Sequence, residues 1–306
     1  MYSEGKFSPL SKLALLLGLC GFGFIISGII TVAIAKLGIN VPSDKMEVAL
    51  KDPANINYIR WLQVLTTFFL MALPAFVFWQ ITSDKPMPKM GFISYISWKQ
   101  FLFVGLMVFA GFMVGGALSG ITELIPLPKQ TETFFRKLET EYTDQVMLIA
   151  SMKSSADFLI SLILLALLPA IFEEMLFRGS LQQVAISVTG SSAAGIICTS
   201  IFFSAIHFSY YGFLPRLFLG VMLGYIFYYS KNLWFSIAAH FINNAWELFS
   251  IYMFAKQGGK PSEMPDENLP VYAGIIGTAA IIFLFAEYRK ESRKVLSGCI
   301  GNISGE

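Results

Sequence analysis

Apolar residues recur along this chain in runs too long and too lightly interrupted for the half-buried helix or strand of a water-soluble domain. Eight stretches, at about Lys12–Lys36, Tyr58–Ile81, Gln100–Glu123, Ala156–Val188, Ser192–Ser209, Phe213–Ser230, Leu233–Ala255 and Val271–Tyr288, approach or exceed the ~20 residues a helix needs to cross a ~30 Å hydrocarbon core. Charged and polar positions gather in the short segments between them. The pattern predicts an all-α, polytopic integral membrane protein of about eight transmembrane helices, with residues 1–306 forming a single integral-membrane domain. No repeat of fixed period and no low-complexity tract interrupts it.

Composition strengthens this reading. The chain is 55% hydrophobic and 14% charged, against roughly 25% charged residues in an average soluble domain. Membrane lipids are therefore its surroundings, and a net charge of +2 gives no sign of a nucleic-acid partner. Ala33-Ile34-Ala35 resembles a signal-peptidase site. The apolar run before it exceeds the 7–15 residues usual for a signal peptide, which predicts a retained first helix. Lys and Arg divide evenly between the two sets of connections, so their count assigns no orientation. Lys6 and Lys12 flank the first helix, and Arg289, Lys290, Arg293 and Lys294 follow the last. With an even number of crossings, this places both termini in the cytoplasm. Cys20, Cys198 and Cys299 lack the spacing of a metal site and read as small buried apolar residues.

Two connections stand apart from the rest. Thr131–Glu139 mixes Phe134, Phe135 and Leu138 with charges, which suits either a short helix in the membrane interface or a solvated loop. Lys256–Pro270, rich in Gly, Pro, Lys and Glu, reads as an exposed loop.

The candidate chemistry lies inside the apolar runs. Ionisable residues at membrane depth are costly and are functional candidates by default. Glu173 and Glu174 interrupt one such run with Arg178 after them, and the chain's two histidines, His207 and His240, lie in others. Glu174 and Arg178 are four apart, in the order that favours an ion pair on a helix face. Glu173 points about 100° away from that face. Pro169, one turn earlier, removes a helical hydrogen bond and predicts a local opening. Gly190 is the natural turn, with Glu173 and His207 each 17 positions from it. On an ideal helical hairpin that sets both about 20–25 Å along the axis. His240 falls within about two turns of His207's level, with Asn244 on its face.

A carboxylate and an imidazole held together in a water-poor medium can deprotonate a water. A second His with an amide can donate hydrogen bonds to the oxyanion formed when that water attacks a carbonyl. The seryl and cysteinyl protease readings are weaker, since Ser204, Ser209 and Cys198 have no Asp-oriented His motif around them. Glu247 reads as lying near a helix end in a wetter zone, and Arg216 as a residue that snorkels to the interface. Gly220 and Gly224 form a Gly-x-x-x-Gly suited to close helix packing.

Three segments in order, Glu173-Glu174-Met175-Leu176-Phe177-Arg178-Gly179, Phe203-Ser204-Ala205-Ile206-His207 and His240-Phe241-Ile242-Asn243-Asn244, resemble the motifs of the CAAX protease and bacteriocin-processing (CPBP, or Abi) family. Its eukaryotic members include the Rce1-type type II CAAX prenyl endopeptidases. The resemblance covers about residues 157–248 and implies a CPBP-type catalytic core within a polytopic helical fold. It implies an intramembrane glutamate-type endopeptidase acting on a membrane-associated, prenylated or lipid-anchored protein or peptide. In that scheme Glu173 and His207 activate water, His240 and Asn244 are oxyanion donors, Glu174 and Arg178 are supporting residues, and neither metal nor cofactor is needed. Two other readings stand beside it. One is a zinc metalloprotease with His207, His240 and Glu173 as ligands, although the sequence has no His-Glu-x-x-His helix. The other is a non-catalytic scaffold or proton-coupled transporter whose buried carboxylates relay protons.

Overall fold

In the computed structural model, residues 7–34, 36, 38, 45–50, 52–149, 152, 154–259 and 268–303 are described. Among them every regular element is helical. The principal helices are α1 (Pro9–Ile34), α2 (Ile56–Thr82), α3 (Trp98–Glu123), α4 (Lys129–Ile149), α5 (Ser155–Thr189), α6 (Ser192–Ala205), α7 (Phe213–Ser230), α8 (Leu233–Lys256) and α9 (Val271–Ile303). Six of these, α1, α2, α3, α5, α7 and α9, are long and apolar enough to cross a membrane. The count of about eight spans is therefore approximate, with two of the eight stretches short of this criterion. The 14 residues of α6 rise only about 21 Å, short of a ~30 Å core. The length of α8 would suffice, but His240, Asn243, Asn244 and Glu247 interrupt its apolar character.

The Thr131–Glu139 segment is helical, as one of its two readings held, and belongs to the 21-residue α4. Most of the expected loop at Lys256–Pro270 lies outside the described residues. Cys20 and Cys198 are not core residues as expected. Cys20 is half-buried and Cys198 is exposed, because Cys198 shares with Ile197, Ile201 and Phe202 the outward stripe of α6, and apolar side chains face outward at no cost in lipid. The side chain of Cys299 lies outside the described residues.

The chain divides into two compact units, each assembled from separate stretches. The first comprises Met1–Pro86, Thr140–Leu176 and Asn243–Pro265. Here α1 packs on α2 through Gly23, where an added Cβ would run into the Phe69 carbonyl and Pro74. Phe68 of α2 meets Phe172 of α5 edge to face at 5.5 Å. Two prolines shape this unit. Pro74 and Pro169 cannot donate to the carbonyls four residues back, Leu70 and Leu165, and each of those carbonyls falls in a π-helical turn, Phe68–Ala72 and Leu162–Leu167. Widening the turn absorbs the missing donor without breaking the helix, which is the opening expected at Pro169.

The second unit comprises Met87–Glu139, Phe177–Ile242 and Asp266–Glu306. Its core joins Val104, Met107 and Val108 of α3, Met222, Leu223 and Ile226 of α7, Phe235 and Ala239 of α8, and Ile281 and Tyr288 of α9. Buried polar groups fix the register of its helices. Gln100 Nε2 donates to Ser292 Oγ (2.9 Å) and Tyr288 Oη to the Ile226 carbonyl (3.2 Å). Gly190 caps the end of α5 in the left-handed conformation (φ 68°), and Ser191 then caps α6 by accepting the Ala194 N–H at 3.3 Å. This is the turn the sequence predicted.

Candidate active site

Glu173 and Glu174 occupy a straight α-helical stretch of α5, Leu168–Leu176, framed by π turns on both sides. Glu174 is fully buried and Glu173 half-buried. The neighbouring Phe172 ties this stretch to α2. Asn244 lies in the same unit, half-buried on α8. Within that unit α8 packs on the start of α5 through Tyr252, whose ring stacks on Phe158 at 4.9 Å and whose hydroxyl lies 3.2 Å from Ser155 Oγ. Glu247 is exposed.

Arg178, His207 and His240 belong to the second unit, where one ring organises all three. Phe203, 1% exposed, meets the His207 ring at 5.1 Å and the His240 ring at 5.7 Å, both edge to face. The Arg178 guanidinium carbon lies 4.6 Å from its centroid, within range of a cation–π attraction. Phe177 closes a further side at 5.1 Å. Phe203 opens the second motif, but its role as the shared ring is one that sequence reasoning missed among 29 phenylalanines.

His207 lies beyond its helix, not within it as expected. α6 stops at Ala205, the His207 and Phe208 N–H groups bond back to Ser204 and Ala205 at 3.3 and 3.1 Å, and Phe208 turns left-handed (φ 51°). The equal count of 17 from Gly190 therefore does not translate into equal rise, since one side contains a π turn and the other leaves the helix. What fixes the imidazole is the Phe203 carbonyl, 2.8 Å from Nδ1. A carbonyl can only accept, so Nδ1 carries the hydrogen and Nε2 is the basic nitrogen of the neutral ring.

Arg178 is nearly inaccessible and sits in the π turn Phe177–Leu181, which no proline explains. Its Nη2 donates to the Gly220 carbonyl (3.1 Å), and Gln182, four residues on, donates to the Gly224 carbonyl (3.0 Å). The two glycines pack as predicted, since a Cβ at Gly220 would come 2.9 Å from Ser200 Cβ and one at Gly224 2.7 Å from Ile196 Cγ2. The glycine ridge also does what its motif does not announce, offering two backbone carbonyls to α5.

The hydroxyls weighed as nucleophiles are engaged elsewhere. Ser204 Oγ donates to the Phe213 carbonyl (2.7 Å) and Ser209 Oγ to Glu139 (2.8 Å). Among the described residues, no group of three His, Cys, Asp or Glu side chains is gathered as a metal-ligand set.

These placements meet the comparison with known proteins at one stretch. Residues 155–246 match the Rce1-like type II CAAX prenyl endopeptidase family. The match runs from the start of α5 into α8 and includes every residue of the three motifs; α1 to α4 and α9 lie outside it. No curated protein and no solved structure matches the chain. With six helices able to span a membrane, the Rce1-like match supports an integral membrane protease of the CAAX type in general.

Proposed function

We propose that the protein is a glutamate-type intramembrane endopeptidase that cleaves a membrane-associated, prenylated or lipid-anchored protein or peptide. The observation that carries this reading is the Rce1-like match over residues 155–246, which contains Glu173, His207, His240 and Asn244 together. In the proposed reaction a water oxygen attacks the scissile carbonyl carbon while its proton passes to the Glu173 carboxylate. His207, with its Nδ1 hydrogen committed to the Phe203 carbonyl, offers Nε2 to orient that water. The oxyanion takes hydrogen bonds from His240 and the Asn244 amide. Collapse of the intermediate breaks the C–N bond, and Glu173 returns its proton to the leaving amine. Glu174 and Arg178 support the site without touching the reacting atoms.

The test is hydrolysis by the purified full-length protein of a farnesylated peptide ending in a CAAX sequence, beside the same peptide without its lipid and a membrane-spanning peptide panel. Cleavage of a lipidated or membrane peptide is the expected result. No cleavage of any of them, accompanied by pH-dependent transport, would favour the proton-relay reading. Activity is further expected to survive exhaustive chelation followed by assay in metal-free buffer, because the nucleophile derives from Glu173 and His207. A rate lost on chelation and restored by Zn would instead assign these side chains to a metal centre.

A further inference from the structure

His207 lies past the end of its helix, so no helical ladder holds it, and its neighbour Phe208 adopts a left-handed conformation (φ 51°) that costs a non-glycine residue about 1–3 kcal/mol. Such a turn persists only where surrounding contacts determine it. The contacts come from α4. Ser209 Oγ donates to Glu139 (2.8 Å to Oε2, 3.1 Å to Oε1) and accepts the Gly212 N–H at 3.0 Å. Tyr210 stacks on Phe135, with ring centroids 4.6 Å apart and planes 15° apart. The Arg136 guanidinium carbon lies 5.2 Å from the centre of the Tyr211 ring, and Arg136 Nε is itself held by Glu132 (2.9 Å). Burial, partly offset by the Arg136 charge, pushes the Tyr211 phenol up. Three consecutive residues after Phe208 are thus gripped by one face of α4. Ser209 is 4% exposed, which places the central hydrogen bond away from competing water.

We infer that Glu139 is a positioning residue for His207, holding through Ser209 the turn that carries the imidazole, with Phe135 and Arg136 clamping the next two residues. Its catalytic consequence rests on the active-site reading above; its structural consequence does not. The sequence left α4 between an interfacial helix and a loop, and this inference gives the helix a task. Without the Glu139 acceptor, Ser209 loses its anchor and the Gly212 amide loses a fixed partner. The turn then loosens, and Nε2 of His207 departs from its productive position, where a misplacement of ~1 Å can cost 10²-fold in rate.

The experiment uses the full-length protein with Glu139→Ala, Glu139→Gln and Ser209→Ala. Hydrogen exchange measured by mass spectrometry is expected to rise across 206–213 in Glu139→Ala and Ser209→Ala and to remain unchanged elsewhere. In the hydrolysis assay kcat should fall about 10- to 100-fold with KM within about twofold, and Glu139→Gln, which keeps an acceptor oxygen, should fall between these variants and wild type. Unchanged exchange across 206–213, or a kcat in both Glu139→Ala and Ser209→Ala within about twofold of wild type, would overturn the inference. Failure of the active-site reading would show separately, as hydrolysis retained by Glu173→Gln, and leaves the exchange measurement intact. Should Glu139→Ala fail to fold, Ser209→Ala removes the same link by deleting a single oxygen.

Discussion

Glu173→Gln is expected to reduce hydrolysis by at least about 10³-fold, within the range a positioned general base supplies, while the protein remains folded and monodisperse in detergent. The amide keeps the shape of the carboxylate but cannot take a proton from water. Glu173 is half-buried rather than sealed in the core, and its helical stretch is tied down by its neighbours, including Phe172 against Phe68. A variant that folds and retains a tenth of wild-type activity would show that Glu173 is not the base. A variant that aggregates would make Glu173 a structural residue.

Much of the fold was legible because lipid imposes a simple pattern. Every backbone polar group at membrane depth must be satisfied within its own segment, so long apolar runs read directly as helices, and seven of the eight predicted stretches became helices of 18 or more residues. Local stereochemistry was legible as well. Gly190 supplies the positive φ that ends α5, and the missing N–H of Pro169 foretells the π turn beside it. The remainder depended on contacts between segments distant in sequence. The stop of α6 before His207 requires a left-handed Phe208, which phenylalanine does not advertise and which α4 holds from 70 positions away. The π turn at Phe177–Leu181 contains no proline; it coincides with the place where Arg178 reaches the carbonyl of Gly220. Periodicity of 3.6 residues places Arg178 on a face but cannot supply that acceptor, nor single out Phe203 as the ring shared with both histidines.

Arg178→Ala is accordingly expected to destabilise the protein far more than Glu173→Gln, by about 2–5 kcal/mol, the combined worth of a buried hydrogen bond from a charged group and a desolvated cation–π contact, and its melting temperature in detergent should fall correspondingly. The guanidinium is 1% exposed, donates to the Gly220 carbonyl and covers the Phe203 ring. Truncation removes the donor, the cation–π contact and most of the volume at once. Arg178→Lys should recover only part of the loss, because a point charge on a flexible stem cannot reproduce the planar fork that reaches the carbonyl while lying over the ring. The acceptor side gives an independent measure. Gly220→Ala would force its new methyl against Ser200, 2.9 Å from Cβ, and push apart α6 and α7, an overpacking cost of about 1–3 kcal/mol. Since this moves the same carbonyl that Arg178 uses, the double variant Arg178→Ala/Gly220→Ala should be less destabilised than the sum of the two single changes. Strict additivity would mean that the hydrogen bond contributes little. Equal melting of Arg178→Ala and Glu173→Gln would remove Arg178 as a support of the ring on which His207 and His240 rest.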